Sequence, residues 1–138
     1  MTLSQVYEWK FIKLKWYTEN VESKELRILS FKHAFEGIIS ALKKEPNLKF
    51  HLIIALLVLF IGILLNLSTR DLVVVLILIG FVIAVELTNT AIETVVDGLT
   101  QDQHPAAKIA KDISAGAVLV AALTAAIVGT LIFLPYFT

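Results

Sequence analysis

The chain has 138 residues, 57% of them hydrophobic and 17% charged, and its mean hydropathy is +0.80. Soluble domains are about 45–50% apolar, so this composition points to a membrane protein. The formal net charge of zero gives no signal for nucleic acid, and the absence of cysteine excludes disulfides and thiolate metal sites.

The N-terminal stretch MTLSQVYEWKFIKLKWY has no continuous apolar core and no small-residue cleavage site, so it is not read as a signal peptide. Residues 1–25 form an extension that mixes Trp9, Phe11, Trp16 and Tyr17 with Lys10, Lys13 and Lys15. Aromatic and basic residues together suit a membrane interface, and no chemistry is assigned to them. Residues 26–138 are expected to form one membrane domain.

That domain opens with LRILSFKHAFEGIISALKKE, Leu26 to Glu45. At about 100° per residue, Phe31, Ala34, Phe35, Ile38, Ile39 and Leu42 fall on one arc, and Lys32, His33, Glu36, Ser40, Lys43 and Lys44 on the other. This is an amphipathic helix suited to lie on a leaflet surface, or else a helix packed on a partner. Pro46 ends it, because the residue before a proline resists helical geometry.

Crossing a bilayer takes about 20 apolar residues in helical form. Three stretches qualify: residues 48–67, 72–96 and 113–137. The first two are joined by STRD, read as a short hairpin loop, and the last two by DGLTQDQHPAAKIAKD, read as a longer polar loop. The expected fold is therefore an all-α membrane protein with a surface helix followed by three transmembrane helices. Nine of the 12 Lys and Arg residues precede His51, Arg70 sits in the first hairpin, and Lys108 and Lys111 sit in the second loop. Positive charge collects on the cytoplasmic side, which puts the N-terminus and second loop inside and the C-terminus outside.

The third span carries Ala117, Ala121, Ala125 and Gly129 at a spacing of four, with a second row at Ala122, Ala126 and Thr130. Small residues at this spacing let helix backbones approach closely. Three spans alone bury little, so association of identical copies is expected.

The second span ends in polar residues where charge is costly. Glu86, Asn89, Glu93 and Asp97 are spaced three, four and four, which puts all four on one helix face. A carboxylate at mid-bilayer costs roughly 2.5–3.5 kcal/mol even on lenient scales, so these groups must face protein, water, a metal or a cation. Two glutamates a turn or two apart suit a hard cation such as Mg²⁺, which leaves positions for phosphate oxygens. A set of buried hydrogen bonds tying helices together is the competing reading.

Glu45 should lie near the same boundary, just before Pro46 and the first span. Lys111 and Asp112 begin the third span; Lys111 suits either an interfacial snorkel or a phosphate contact. His51 stays undecided, and His104 with Pro105 reads as loop punctuation. Neither a G-x-x-x-x-G-K-[ST] loop nor a G-x-G-x-x-G helix opening is present.

ELTNTAIETVVD from Glu86 to Asp97, and AKDISAGAVL from Ala110 to Leu119, together resemble the prokaryotic diacylglycerol kinase family, which includes undecaprenol kinases. SFKHAFEGI and EPNLKFH extend the resemblance, which covers about Arg27 to Phe133. It implies a homotrimeric lipid kinase of the bacterial cytoplasmic membrane, with composite sites that move the γ-phosphate of MgATP to a lipid alcohol. Glu86 would then be the base toward the lipid hydroxyl, and Glu45 and Glu93 would hold Mg²⁺. Asn89, Lys111, Asp97, Asp112 and Arg27 would position nucleotide or phosphate. NTAIE and the histidine of NLKFH resemble the undecaprenol branch more than the diacylglycerol branch. Two readings of other classes stand beside the kinase: a transport or proton-relay protein whose carboxylates line a path, and an interaction module held by the small-residue face.

Overall fold

The computed structural model describes residues 23–99 and 104–138, with side chains described from residue 30. Residues 1–22 of the extension and the side chain of Arg27 lie outside the described residues. Four helices follow in order: α1 (Ser23–Lys44), α2 (Pro46–Leu64), α3 (Thr69–Leu99) and α4 (Pro105–Phe133), the last continued by a 3-10 turn at Leu134–Tyr136. α2, α3 and α4 are each long and apolar enough to cross a membrane. The three spans belong to one compact unit that begins at Ser40, and the described residues 23–39 belong to a separate one.

α1 stops at Lys44, where Pro46 forbids its continuation. Glu45 takes an extended backbone as the N-cap of α2, and Pro46 occupies the first turn, where its missing N–H costs nothing. α2 ends in a left-handed residue, Asn66, at φ 53°. There Leu67 N–H donates to Gly62 O at 3.0 Å and Asn66 N–H to Ile63 O at 3.1 Å, the paired closure that satisfies the last carbonyls of a helix. The Leu67 side chain lies over Gly62.

STRD is the start of α3 and not a free loop. Ser68 caps the helix: its Oγ accepts from Asp71 N–H at 3.2 Å and donates to the Asp71 carboxylate at 2.7 Å. Tyr136 closes the same end, its hydroxyl donating to Asp71 Oδ2 at 2.6 Å and accepting from Ser68 N–H at 2.9 Å. The expected long polar loop is also mostly helical. α3 runs on to Leu99, and α4 begins at Pro105 with His104 as its cap, whose ring Nδ1 accepts from Ala106 N–H at 3.2 Å.

α3 packs against both α2 and α4. The buried positions recur every seven residues: Leu48, Ala55 and Gly62 on α2, Val75, Val82 and Asn89 on α3, Ser114 and Ala121 on α4. A seven-residue repeat is the seam of helices packed at a shallow left-handed angle. Large side chains off the seam, among them Phe50, Leu56, Phe60, Ile77 and Ile127, are exposed, as lipid-facing residues must be. Of the small-residue row on α4, Ala121 is buried in the contact with α3, whereas Ala122, Ala125, Ala126 and Gly129 line an open groove. That groove, about 590 Å³, runs over α3 from Phe50 and His51 to Phe133 and Phe137.

Candidate active site

The polar row on α3 is graded by exposure. Glu86 is 2% exposed and Asn89 8%, Glu93 is half-buried, and the Asp97 side chain is 56% exposed. One straight helix thus carries four polar groups from an apolar setting to an aqueous one, because successive seam turns climb past the end of the lipid-facing stretch.

Each rung has its own partner. The Glu86 carboxylate accepts no hydrogen bond from the described residues; only its backbone carbonyl is engaged, by Thr90 Oγ1 at 3.1 Å. No described side-chain polar atom is both sealed from solvent and unpartnered, so the Glu86 oxygens keep a small opening. His51, Glu93 and Glu45 lie within electrostatic reach of Glu86. Val82 and Ile83, one turn before Glu86, line the apolar groove together with His51. A carboxylate with free lone pairs at the end of an apolar groove suits a proton acceptor for a hydroxyl delivered from lipid.

Asn89 bridges two helices. Its Nδ2 donates to Glu93 Oε1 at 3.1 Å, and its Oδ1 accepts from Ser114 Oγ on α4 at 2.6 Å. At the next level Lys111 Nζ meets Asp97 Oδ1 at 2.8 Å. Glu45 reaches the same group from the α1–α2 junction. Its side chain is 17% exposed, with Lys44 Nζ at 3.7 Å, and Lys44 also donates to Thr94 Oγ1 on α3 at 3.3 Å. Glu45, Glu93 and Asp97 all lie within electrostatic reach of Lys111.

The residues singled out in the sequence therefore converge, with two exceptions. Asp112 is exposed and forms no ion pair among the described residues, and the Arg27 side chain is outside them. Sequence reasoning passed over two participants. Lys44 read as one more basic residue on a surface helix, and Ser114 as one more small residue in a small-residue span. Only the tertiary contact reveals either.

Among the described residues no three carboxylate or imidazole groups gather as a ready metal cage. Glu45 and Glu93 both lie within electrostatic reach of Glu86 and of Lys111, and a cation that takes one or two carboxylates and completes its shell with phosphate oxygens and water, as Mg²⁺ does, could use such residues.

A family model for prokaryotic diacylglycerol kinase matches residues 32–133. The chain belongs to the prokaryotic diacylglycerol kinase family. Undecaprenol kinase of Bacillus subtilis is 47% identical over 106 residues, 77% of this chain and 86% of that protein. Diacylglycerol kinase of Synechocystis is 39% identical over 109 residues, 78% of this chain and 62% of that protein. Diacylglycerol kinase of Haemophilus influenzae is 29% identical over 94 residues, 68% and 80% of the two chains. Membership makes the chain a lipid kinase embedded in a membrane by three spans, and it sets aside the transport and interaction-module readings. The family match begins at Lys32, beyond Arg27.

Proposed function

We propose that the chain transfers the γ-phosphate of MgATP to the hydroxyl of a membrane lipid alcohol, with undecaprenol preferred to diacylglycerol. The observation that carries the reaction is the graded row: an open, buried carboxylate beside an apolar groove at one end, and a lysine–carboxylate pair in water at the other. The preference for undecaprenol rests on the name of the relative at 47% identity.

In this reading the lipid hydroxyl oxygen attacks the γ-phosphorus, the bond from that phosphorus to the bridging oxygen breaks, and ADP leaves. Glu86 takes the hydroxyl proton, since a general base must lie within hydrogen-bond reach of it and Glu86 is the rung nearest the lipid. Glu93 and Glu45 hold Mg²⁺, which neutralises charge on the ATP phosphates and orients them. Asn89 holds one oxygen of Glu93, and the carboxylate it steadies would take part in holding the cation. Lys111 adds positive charge for the phosphates, Asp97 keeps that lysine in place, and Asp112 and Arg27 help seat the nucleotide.

The excess of Lys and Arg before His51 supports a cytoplasmic N-terminus, so ATP meets the aqueous end of the row in the cytoplasm of a bacterial cell whose inner membrane holds the protein. The open small-residue groove supports assembly into a homotrimer, with residues 1–25 as an interfacial extension to the kinase domain 26–138.

The test uses the full chain in a lipid mimic, given γ-labelled MgATP with undecaprenol and diacylglycerol in parallel. Label entering undecaprenol preferentially supports the reading. Label in diacylglycerol alone would overturn the lipid preference, and label in neither would overturn the substrate class.

A further inference from the structure

We infer that Ser114 is a positioning residue that decides which end of the Asn89 amide faces Glu93; the inference rests on the proposed roles of Asn89 and Glu93. The two ends of an asparagine amide have nearly the same shape and opposite chemistry, one an acceptor and the other a double donor. Beside a glutamate the two orientations differ in kind: one donates to the carboxylate, and the other sets a carbonyl oxygen against it.

Asn89 is 8% exposed and Ser114 6%, so water is largely kept from both and their polar atoms must be satisfied by protein. Ser114 Oγ lies 2.6 Å from Asn89 Oδ1 and 3.0 Å from Lys111 O. A hydroxyl has one proton and two carbonyl acceptors compete for it here. The 2.6 Å contact is a short O–H···O bond, and two oxygens would repel at that distance without the proton between them. The serine proton therefore goes to Asn89 Oδ1, which turns Nδ2 toward Glu93 Oε1 at 3.1 Å.

The alternative is just as concrete. Were Ser114 to give its proton to Lys111 O, its lone pairs would draw the asparagine NH₂, and the carbonyl would swing toward Glu93. The serine on α4 thus selects between two orientations of a side chain on α3. Both residues sit on the seven-residue seams, at the level where those seams turn polar, so the pair also holds the two helices in register. Register alone does not require the amide nitrogen to face Glu93. That difference separates positioning from packing.

The decisive readout is the side-chain amide nitrogen signal of Asn89, recorded by solid-state NMR on the metal-free, full-length protein in bilayers, beside steady-state kinetics with MgATP and lipid. In Ser114→Ala the Asn89 signal moves or splits into two. kcat/KM for MgATP falls about tenfold, the scale of one lost hydrogen bond at a positioned polar group, and the lipid KM stays unchanged. Ser114→Thr, which keeps the hydroxyl, restores both. An unchanged Asn89 signal in Ser114→Ala overturns the inference, and so does a moved signal with undiminished kcat/KM. If Ser114→Ala does not accumulate, Ser114→Cys keeps the shape with a weaker donor and is judged by the same outcomes. Wild-type protein that transfers no phosphate would sink the proposed function, while the amide signal would still decide which end of Asn89 Ser114 selects.

Discussion

Glu86 and Glu93 are the same residue type on the same face of one helix, two turns apart, and their surroundings differ. Glu86 is almost wholly buried, its carboxylate free of hydrogen bonds from the described residues. Glu93 is half-buried and holds Asn89. Replacing Glu86 by Gln keeps the shape and removes the basic oxygen, so turnover should fall by ~10²–10⁴ while the protein still folds and binds nucleotide. Near-wild-type kcat in that variant would remove Glu86 from the base role. Glu93→Gln should instead raise the magnesium concentration for half-maximal activity by about tenfold or more, and a magnesium titration that overlays the wild type would exclude Glu93 as a ligand. The row itself was legible, because spacings of three and four can mean only one face of a helix. Ser114 was not, since a serine among alanines and glycines looks the same in sequence whether it packs or donates. Its function depends on Asn89, 25 residues earlier.

At the scale of elements, hydropathy located all three spans and misjudged their ends. A hydropathy window stops at the first charge, but a helix stops where its backbone runs out of partners. STRD reads as a loop because it is polar, yet Ser68 and Asp71 are polar because they cap α3. Asp97 to Leu99 stay helical at the end of α3 although the hydropathy window has closed. Asn66 shows the opposite case, a true stop that depends on its left-handed backbone. Asn66→Val should destabilise by about 1–2 kcal/mol, since a branched side chain is strained at positive φ, whereas Asn66→Gly should be near neutral. Unfolding in a denaturing detergent series measures both, and equal stability of the Val and Gly variants would show that the left-handed turn does not matter.

For the whole molecule, the open groove has one wall, on α4, built of small residues that α3 does not cover. Its small residues Ala125, Ala126 and Gly129 sit where a neighbouring helix of another copy could come close. Ala126→Leu should leave the single chain folded, because Ala126 is exposed within it, and should shift cross-linked species from trimer toward monomer. A trimer that tolerates leucine there would move the assembly face elsewhere. The sequence supplied the row of small residues but not which of them the chain uses internally. Only Ala121 is consumed by α3.

α3 has 31 residues, which at the usual helical rise makes it about 46 Å long, against a hydrocarbon layer of roughly 30 Å. Counted from Leu72, where the apolar run begins, Glu86 lies about 21 Å along the helix, inside that layer and in its far third. The helix length therefore sets the depth of that carboxylate, about 9 Å short of the layer's far edge. A host membrane a few ångströms thicker would submerge the carboxylate further, and one a few ångströms thinner would bring it nearer to water. If Glu86 is the base toward a lipid hydroxyl, its depth ties the rate to lipid thickness. In vesicles of phosphatidylcholines of increasing chain length, the rate should peak at one thickness and fall on both sides, whereas a flat profile would mean that the helix tilts to compensate.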